Sequence, residues 1–243
     1  MPLYRDAAIV LRTHKLGEAD RIVTMLTRGR GKVRAVAKGV RRTKSKFGAR
    51  LEPGMVVDLQ CYEGRNLDTV TQAESLASYG DAIARDYEAW TAASAMFETC
   101  DRLTEEGEPA VQQFALLAGA LSSLAGQTHE AGLVLDSYLL RAMAIAGWAA
   151  SFHDCAKCGA EGPHRAFDIA SGGAVCPVCR PPGCAAPAPE TFILLAALLS
   201  GDWVEADASD LKHRREASKL ASAHVHWHLE RGVRSLRLVE RVP

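Results

Sequence analysis

Four cysteines stand in two pairs, Cys155-Ala-Lys-Cys158 and Cys176-Pro-Val-Cys179, with seventeen residues between the pairs. Two residues between paired cysteines let both thiolates face one ion. A gap of about 15–20 residues leaves room for a hairpin that carries the second pair over the first. Phe167-Asp-Ile-Ala-Ser-Gly-Gly-Ala-Val175 reads as that hairpin, with Ser171-Gly-Gly173 as its turn. The predicted chemistry is tetrahedral binding of one zinc ion by Cys155, Cys158, Cys176 and Cys179. Four thiolates leave no open position for water, so the ion is expected to be structural. A redox pair and a disulfide staple are the rivals, but a redox Cys-x-x-Cys is usually single and opens a helix in a βαβ setting, which is missing here. Cys61, Cys100 and Cys184 are expected to be free thiols; Cys184, five residues past the second pair, is the alternative ligand, though the two pairs already supply a complete set.

A second cluster has a different chemistry. Residues 28–50 hold Arg28, Arg30, Lys32, Arg34, Lys38, Arg41, Arg42, Lys44, Lys46 and Arg50, with no acid among them. In a strand, Lys32, Arg34 and Lys38 share one face while Val33, Ala35 and Ala37 take the other. That face, continued by the Gly39-Val-Arg-Arg-Thr-Lys-Ser-Lys46 segment, read as flexible, makes a cationic strip suited to a polyphosphate backbone. Expected phosphate contacts are Arg34, Lys38, Arg41, Arg42 and Lys44, with Arg30, Lys32 and Lys46 as additions. A lipid surface fits less well, because the strip lacks the apolar face of a membrane-binding helix. Phe47, within the strip, is the one obvious ring for base stacking, with packing over the barrel end as its alternative.

Catalytic patterns are missing. There is no Gly-x-x-x-x-Gly-Lys-Ser/Thr phosphate loop and no His-Glu-x-x-His, so no ATP-driven step or enzymatic activity is expected. His224 and His228 share a helical face at i, i+4 and can in principle hold a metal, but polar surface is the commoner role. Glu105-Glu106 lies in Thr104-Glu-Glu-Gly-Glu108, the composition of a solvated turn. Two other classes stay open: a zinc-ribbon transcription or translation factor, and a zinc-dependent nucleic-acid enzyme.

The elements that must position these groups follow from periodicity and charge. The 243 residues suffice for one large or two ordinary domains, and 48% hydrophobic with 24% charged residues is a globular composition. No apolar run reaches a bilayer span, and Met1-Pro-Leu-Tyr-Arg-Asp has no signal-peptide core, so a cytoplasmic location is expected. Residues 1–79 carry a charge balance of +7, residues 80–150 one of −7, and residues 151–243 none. A local field acts over about a Debye length, ~10 Å, so this asymmetry matters more than the net charge of zero. Strands are predicted at 8–13, 21–27, 32–38, 55–62 and 67–72, with turns at Arg28–Gly31 and Glu63–Asn66. Helices are predicted at 81–103, 110–124, 131–146, 190–200 and 211–238, the last bent at Gly232. The fold class is α+β: a five-stranded OB-fold barrel over 1–79, then a helical domain over 80–150 and 185–243. The zinc module is inserted at 151–184.

The head also carries recognisable motifs. Tyr4-Arg-Asp-Ala-Ala-Ile-Val-Leu-Arg-Thr13, Leu16-Gly-Glu-Ala-Asp-Arg-Ile-Val23 and Gly31-Lys-Val-Arg-Ala-Val-Ala-Lys-Gly-Val-Arg-Arg42 resemble the RecO family of DNA repair and recombination proteins. Gly48-Ala-Arg-Leu-Glu-Pro53 and Leu67-Asp-Thr-Val-Thr-Gln-Ala-Glu74 continue the likeness, which spans essentially the whole chain. The resemblance implies a recombination mediator that binds single- and double-stranded DNA, anneals complementary strands and uses no ATP. It further implies binding to the acidic tail of the single-strand-binding protein SSB, and loading of RecA with RecR. For the SSB tail, Arg102 and Arg141 are the expected cations, with Arg215 beside Lys212 and Lys219 as the alternative.

Overall fold

The structure is a computed structural model that describes residues 2–229 and 233–239. It divides into two compact units, Met1–Gly126 and Gln127–Pro243. Three helices therefore belong with the strands of the head, and the compact division falls well past residue 79.

The first unit begins with β1 (Leu3–Leu16), β2 (Asp20–Thr27), β3 (Gly31–Ala37), β4 (Met55–Tyr62) and β5 (Asp68–Ser78). The five close into a barrel in the order β1-β2-β3-β5-β4. All pairings are antiparallel except the short parallel seam of Ala35 and Val36 against Asp68 and Thr69. β1 runs longer than predicted because its first half pairs with β4 and its second with β2. Its polar ends, with Arg5, Asp6 and Lys15, hide this double pairing from a hydrophobic pattern. Ala8, Val10, Val23, Met25, Val33, Ala35, Val57 and Leu59 fill the interior. On β3 the expected alternation holds: Val33, Ala35 and Ala37 are buried while Arg34 is exposed.

Residues 38–54, between β3 and β4, are folded rather than flexible. Val40, Phe47 and Leu51 join the barrel core, and Phe47 is only 2% exposed, so it packs and presents no face to a base. The Arg41 N–H donates to the carbonyl of Ala19, Gly39 N–H to Asp20 Oδ1, and Gly54 N–H to the Val10 carbonyl. Three apolar anchors in a short polar segment outweigh the freedom its composition suggests.

The helix predicted over 81–103 is two: α1 (Tyr79–Ile83) and α2 (Tyr87–Leu103). Asp86 breaks it by capping α2, its side chain accepting from Ala89 N–H at 3.1 Å. α3 (Val111–Gly126) packs on α1 and α2, and α2 packs on β1.

The second unit contains α4 (Ala131–Ile145), the hairpin β6 (Ala166–Asp168) and β7 (Gly173–Val175), α5 (Pro189–Ser200), α6 (Trp203–Ala208) and α7 (Leu211–His228). α4 is buried almost all round, as its apolar circumference predicts, against α5 and α7. α5 stops at Gly201, whose φ of 82° few other residues tolerate, and Asp202 then caps the unpredicted α6. α7 ends at His228 rather than at 238. Leu229 turns extended, a 3-10 turn follows at Arg234–Arg237, and Gly232 lies outside the described residues. No described helix is long and apolar enough to cross a membrane.

Candidate nucleic-acid interface and metal centre

The cationic segment divides by what each side chain touches. Lys38, Arg41, Arg42, Lys44, Lys46 and Arg50 are exposed, and none has an acidic partner among the described residues. Their hydrogen bonds go to backbone carbonyls, which position a guanidinium or ammonium without neutralising it. Arg41 Nη1 donates to the carbonyls of Gly17 and Glu18, Lys46 Nζ to that of Thr71 at 2.8 Å, and Arg50 Nη1 to that of Lys46. Because Val40, Phe47 and Leu51 anchor the loop from beneath, these cations sit on a folded platform at one end of the barrel.

The strand residues differ. Arg30 lies over the Tyr4 ring, 4.1 Å from its centroid, and 3.8 Å from Glu63. Lys32 has a side chain only 18% exposed, with Nζ donating to the Asp101 carbonyl at 2.6 Å and lying 3.4 Å from its carboxylate. Arg34 Nη1 is 3.8 Å from Glu106 Oε1. Lys32 is thus committed to a protein partner, and the strip expected to run unbroken from 32 to 46 is free of acidic partners only past Ala37. The partners of Lys32 and Arg34 lie some seventy residues downstream, beyond any local pattern.

At the other centre, the sulfurs of Cys155, Cys158, Cys176 and Cys179 all lie within 4.8 Å of one another, Cys158 and Cys176 at 3.8 Å. Sulfurs at the corners of a tetrahedron with ~2.3 Å metal–sulfur bonds stand about 3.8 Å apart, so the donor set fits a thiolate-loving ion. The predicted hairpin brings the pairs together: Ala166, Phe167 and Asp168 face Val175, Ala174 and Gly173. Each pair sits in a tight turn, with Gly159 N–H on the Cys155 carbonyl and Arg180 N–H on that of Cys176. Backbone N–H groups of Cys176, then of Cys158 and Lys157, pull the Cys155 thiol down to about 6. Cys179, hydrogen-bonded by the sulfurs of Cys158 and Cys176, is pushed up to about 12. Four such thiols at this spacing would bind a cation only as thiolates, so metal binding there would release protons. Cys184 packs against this cluster without joining the four. Cys61 is buried and pushed up to about 12 by that burial, hence inert.

The remaining candidates sort quickly. His224 donates Nε2–H to the Trp148 carbonyl at 3.0 Å and sits edge-on to His228, whose ring stacks on Trp148. No third ligand joins them among the described residues. Burial holds both imidazoles below the ordinary value of 6.5. Arg102, in the first unit, donates to Glu98 at 2.6 Å one turn away. Arg141 and Arg215 stand in the second unit on α4 and α7, helices that pack on each other.

Known proteins are similar to the chain along nearly its whole length. Two family models, described as Recombination protein O N terminal and Recombination protein O C terminal, match residues 1–79 and 84–237. The chain is 60% identical to the DNA repair protein RecO of a Nocardioides species, with 98% of this chain and 100% of that one aligned. It is 58% identical to the DNA repair protein RecO of Streptomyces griseus, and 55% identical to that of Thermobifida fusca. Each alignment covers 99% of this chain and 100% of the relative. Matched by the two models over most of its length and by full-length relatives, the chain belongs to the Recombination protein O family.

Proposed function

We propose that the protein acts without catalysis in DNA repair by recombination, binding DNA through its phosphates and annealing complementary strands. The observation that carries this reading is the core-anchored loop of Lys38, Arg41, Arg42, Lys44, Lys46 and Arg50, exposed and without acidic partners among the described residues. Such a surface attracts any nucleic-acid backbone and reads no base edges. Annealing follows physically: two strands repel through their phosphates, and a cationic platform screens both while the bases remain free to pair. With Phe47 inside the core, the loop does not withhold bases by stacking. The strand order of the barrel agrees with an OB-type head.

The four cysteines would hold one zinc ion, whose role there is to fold the module rather than to activate water. As the family resemblance implies, RecR and the acidic tail of SSB are the partners, and RecA loading at gaps is the outcome. Arg141 and Arg215, at the packed α4 and α7, are the cations offered to that tail. Annealing of complementary oligonucleotides without ATP, bare and coated with SSB, tests the function. Faster pairing with the parent protein and none with Arg41→Glu/Arg42→Glu is expected. Equal rates for both proteins would reject the loop as the annealing surface.

A further inference from the structure

The first half of β3 has an open edge. β2 covers one side of β3 from Gly31 to Ala37, whereas β5 reaches the other only at Ala35 and Val36. Residues 105 and 106 fill the gap: Lys32 N–H donates to the Glu105 carbonyl at 3.1 Å, and Glu106 bridges both Gly31 and Lys32. Gly31, with φ of 67°, makes room for this segment, since a Cβ there would lie 1.8 Å from the Glu108 carbonyl oxygen. The same stretch takes three cations. Asp101 holds Lys32 and, at 3.1 Å, Arg12, while Glu106 meets Arg34.

We propose that residues 101–108 form a phosphate-mimicking strap that withholds Arg12, Lys32 and Arg34 from nucleic acid and confines binding to the loop of residues 38–50. The proposal rests on reading that loop as the DNA interface. The strap has a fixed end and a releasable one. Asp101 and Lys32 are each 18% exposed and linked by a second bond to the main chain, so this pair stays. Arg34 and Glu106 are 42% and 52% exposed at 3.8 Å, a screened pair that a phosphate of equal charge can replace. Release of Glu106 adds Arg34 to the footprint, extending the cationic surface from the loop onto the strand. The acid-rich composition of residues 104–108, read from the sequence as a solvated turn, is in this account a device that limits how tightly DNA is held.

The test is binding of a labelled single-stranded oligonucleotide across a salt series, with folding checked by melting. Glu106→Gln is expected to bind about threefold or more tighter at low salt, with the log–log slope steeper by roughly 0.7, one added phosphate. Adding Arg34→Gln should remove both gains. In the parent, Arg34→Gln alone should change affinity less than about twofold, while Arg41→Gln weakens it more. A folded Glu106→Gln with parental affinity and slope overturns the strap. So do equal losses for Arg34→Gln and Arg41→Gln, a comparison that stands even if Glu106→Gln does not fold. Binding untouched by both arginine variants overturns the strap by removing the interface it rests on, a result distinct from the other two.

Discussion

Single side chains separate into exposed cations and buried anchors, and the two are expected to respond differently to substitution. Phe47, buried beneath the cationic loop, is expected to destabilise the first unit by about 3–5 kcal/mol when changed to Ala, read by denaturant unfolding. DNA binding should fall with it, because the loop loses its support. Arg42→Glu, on the exposed surface, should leave unfolding unchanged and weaken binding to all sequences alike. His224 gives a pH signature. Its folded imidazole is held below 6.5 by burial, so the unfolded chain binds protons more readily in the range below that value. Stability of the second unit is therefore full above pH 6.5 and declines as pH falls through it. His224→Gln should flatten the profile below pH 6.5 in a melting series. The basic run was legible residue by residue, because sign and density of charge are local properties. That Lys32 belongs to Asp101 was not, since the pairing spans 69 positions and depends on how α2 lies on β1.

At the scale of elements, the β6–β7 hairpin is the clearest case of spacing dictating structure. Two residues within each cysteine pair and seventeen between them leave room for one short hairpin, and Gly172 and Gly173 supply the positive φ its turn requires. The four sulfurs converge as predicted. Metal removal by a strong chelator should unfold this module while the barrel keeps its structure. Circular dichroism with zinc titration checks this: a stoichiometry of about one per chain is expected in the parent and none in Cys155→Ala/Cys158→Ala. A double variant that retains stoichiometric zinc would sink the ligand assignment. Strand existence was equally legible, but strand length was not, because β1 owes its extra residues to two partners whose registers no alternation reveals. Helix ends were decided by single caps: Asp86 split one predicted helix and Asp202 began another. α7 stops ten residues before its apolar pattern does, because Leu229 turns extended.

For the whole molecule, the sum of charges is zero and the distribution is what matters. Positive charge is concentrated in the barrel residues, and the acidic stretch that follows begins within the same compact unit. The helices α1–α3 therefore serve the head as well as following it in sequence. The central claim is that a core-anchored cationic loop binds DNA through the DNA backbone, indifferent to sequence. Its most direct measurement is the salt dependence of single-strand binding for the parent and for Lys38→Glu/Arg41→Glu/Arg42→Glu. With about six phosphates engaged, log affinity should fall against log salt with a slope of roughly −4, the same for scrambled sequences. In the triple variant, affinity should collapse at all salts, with melting unchanged. A parental slope and affinity in the folded triple variant would contradict the account.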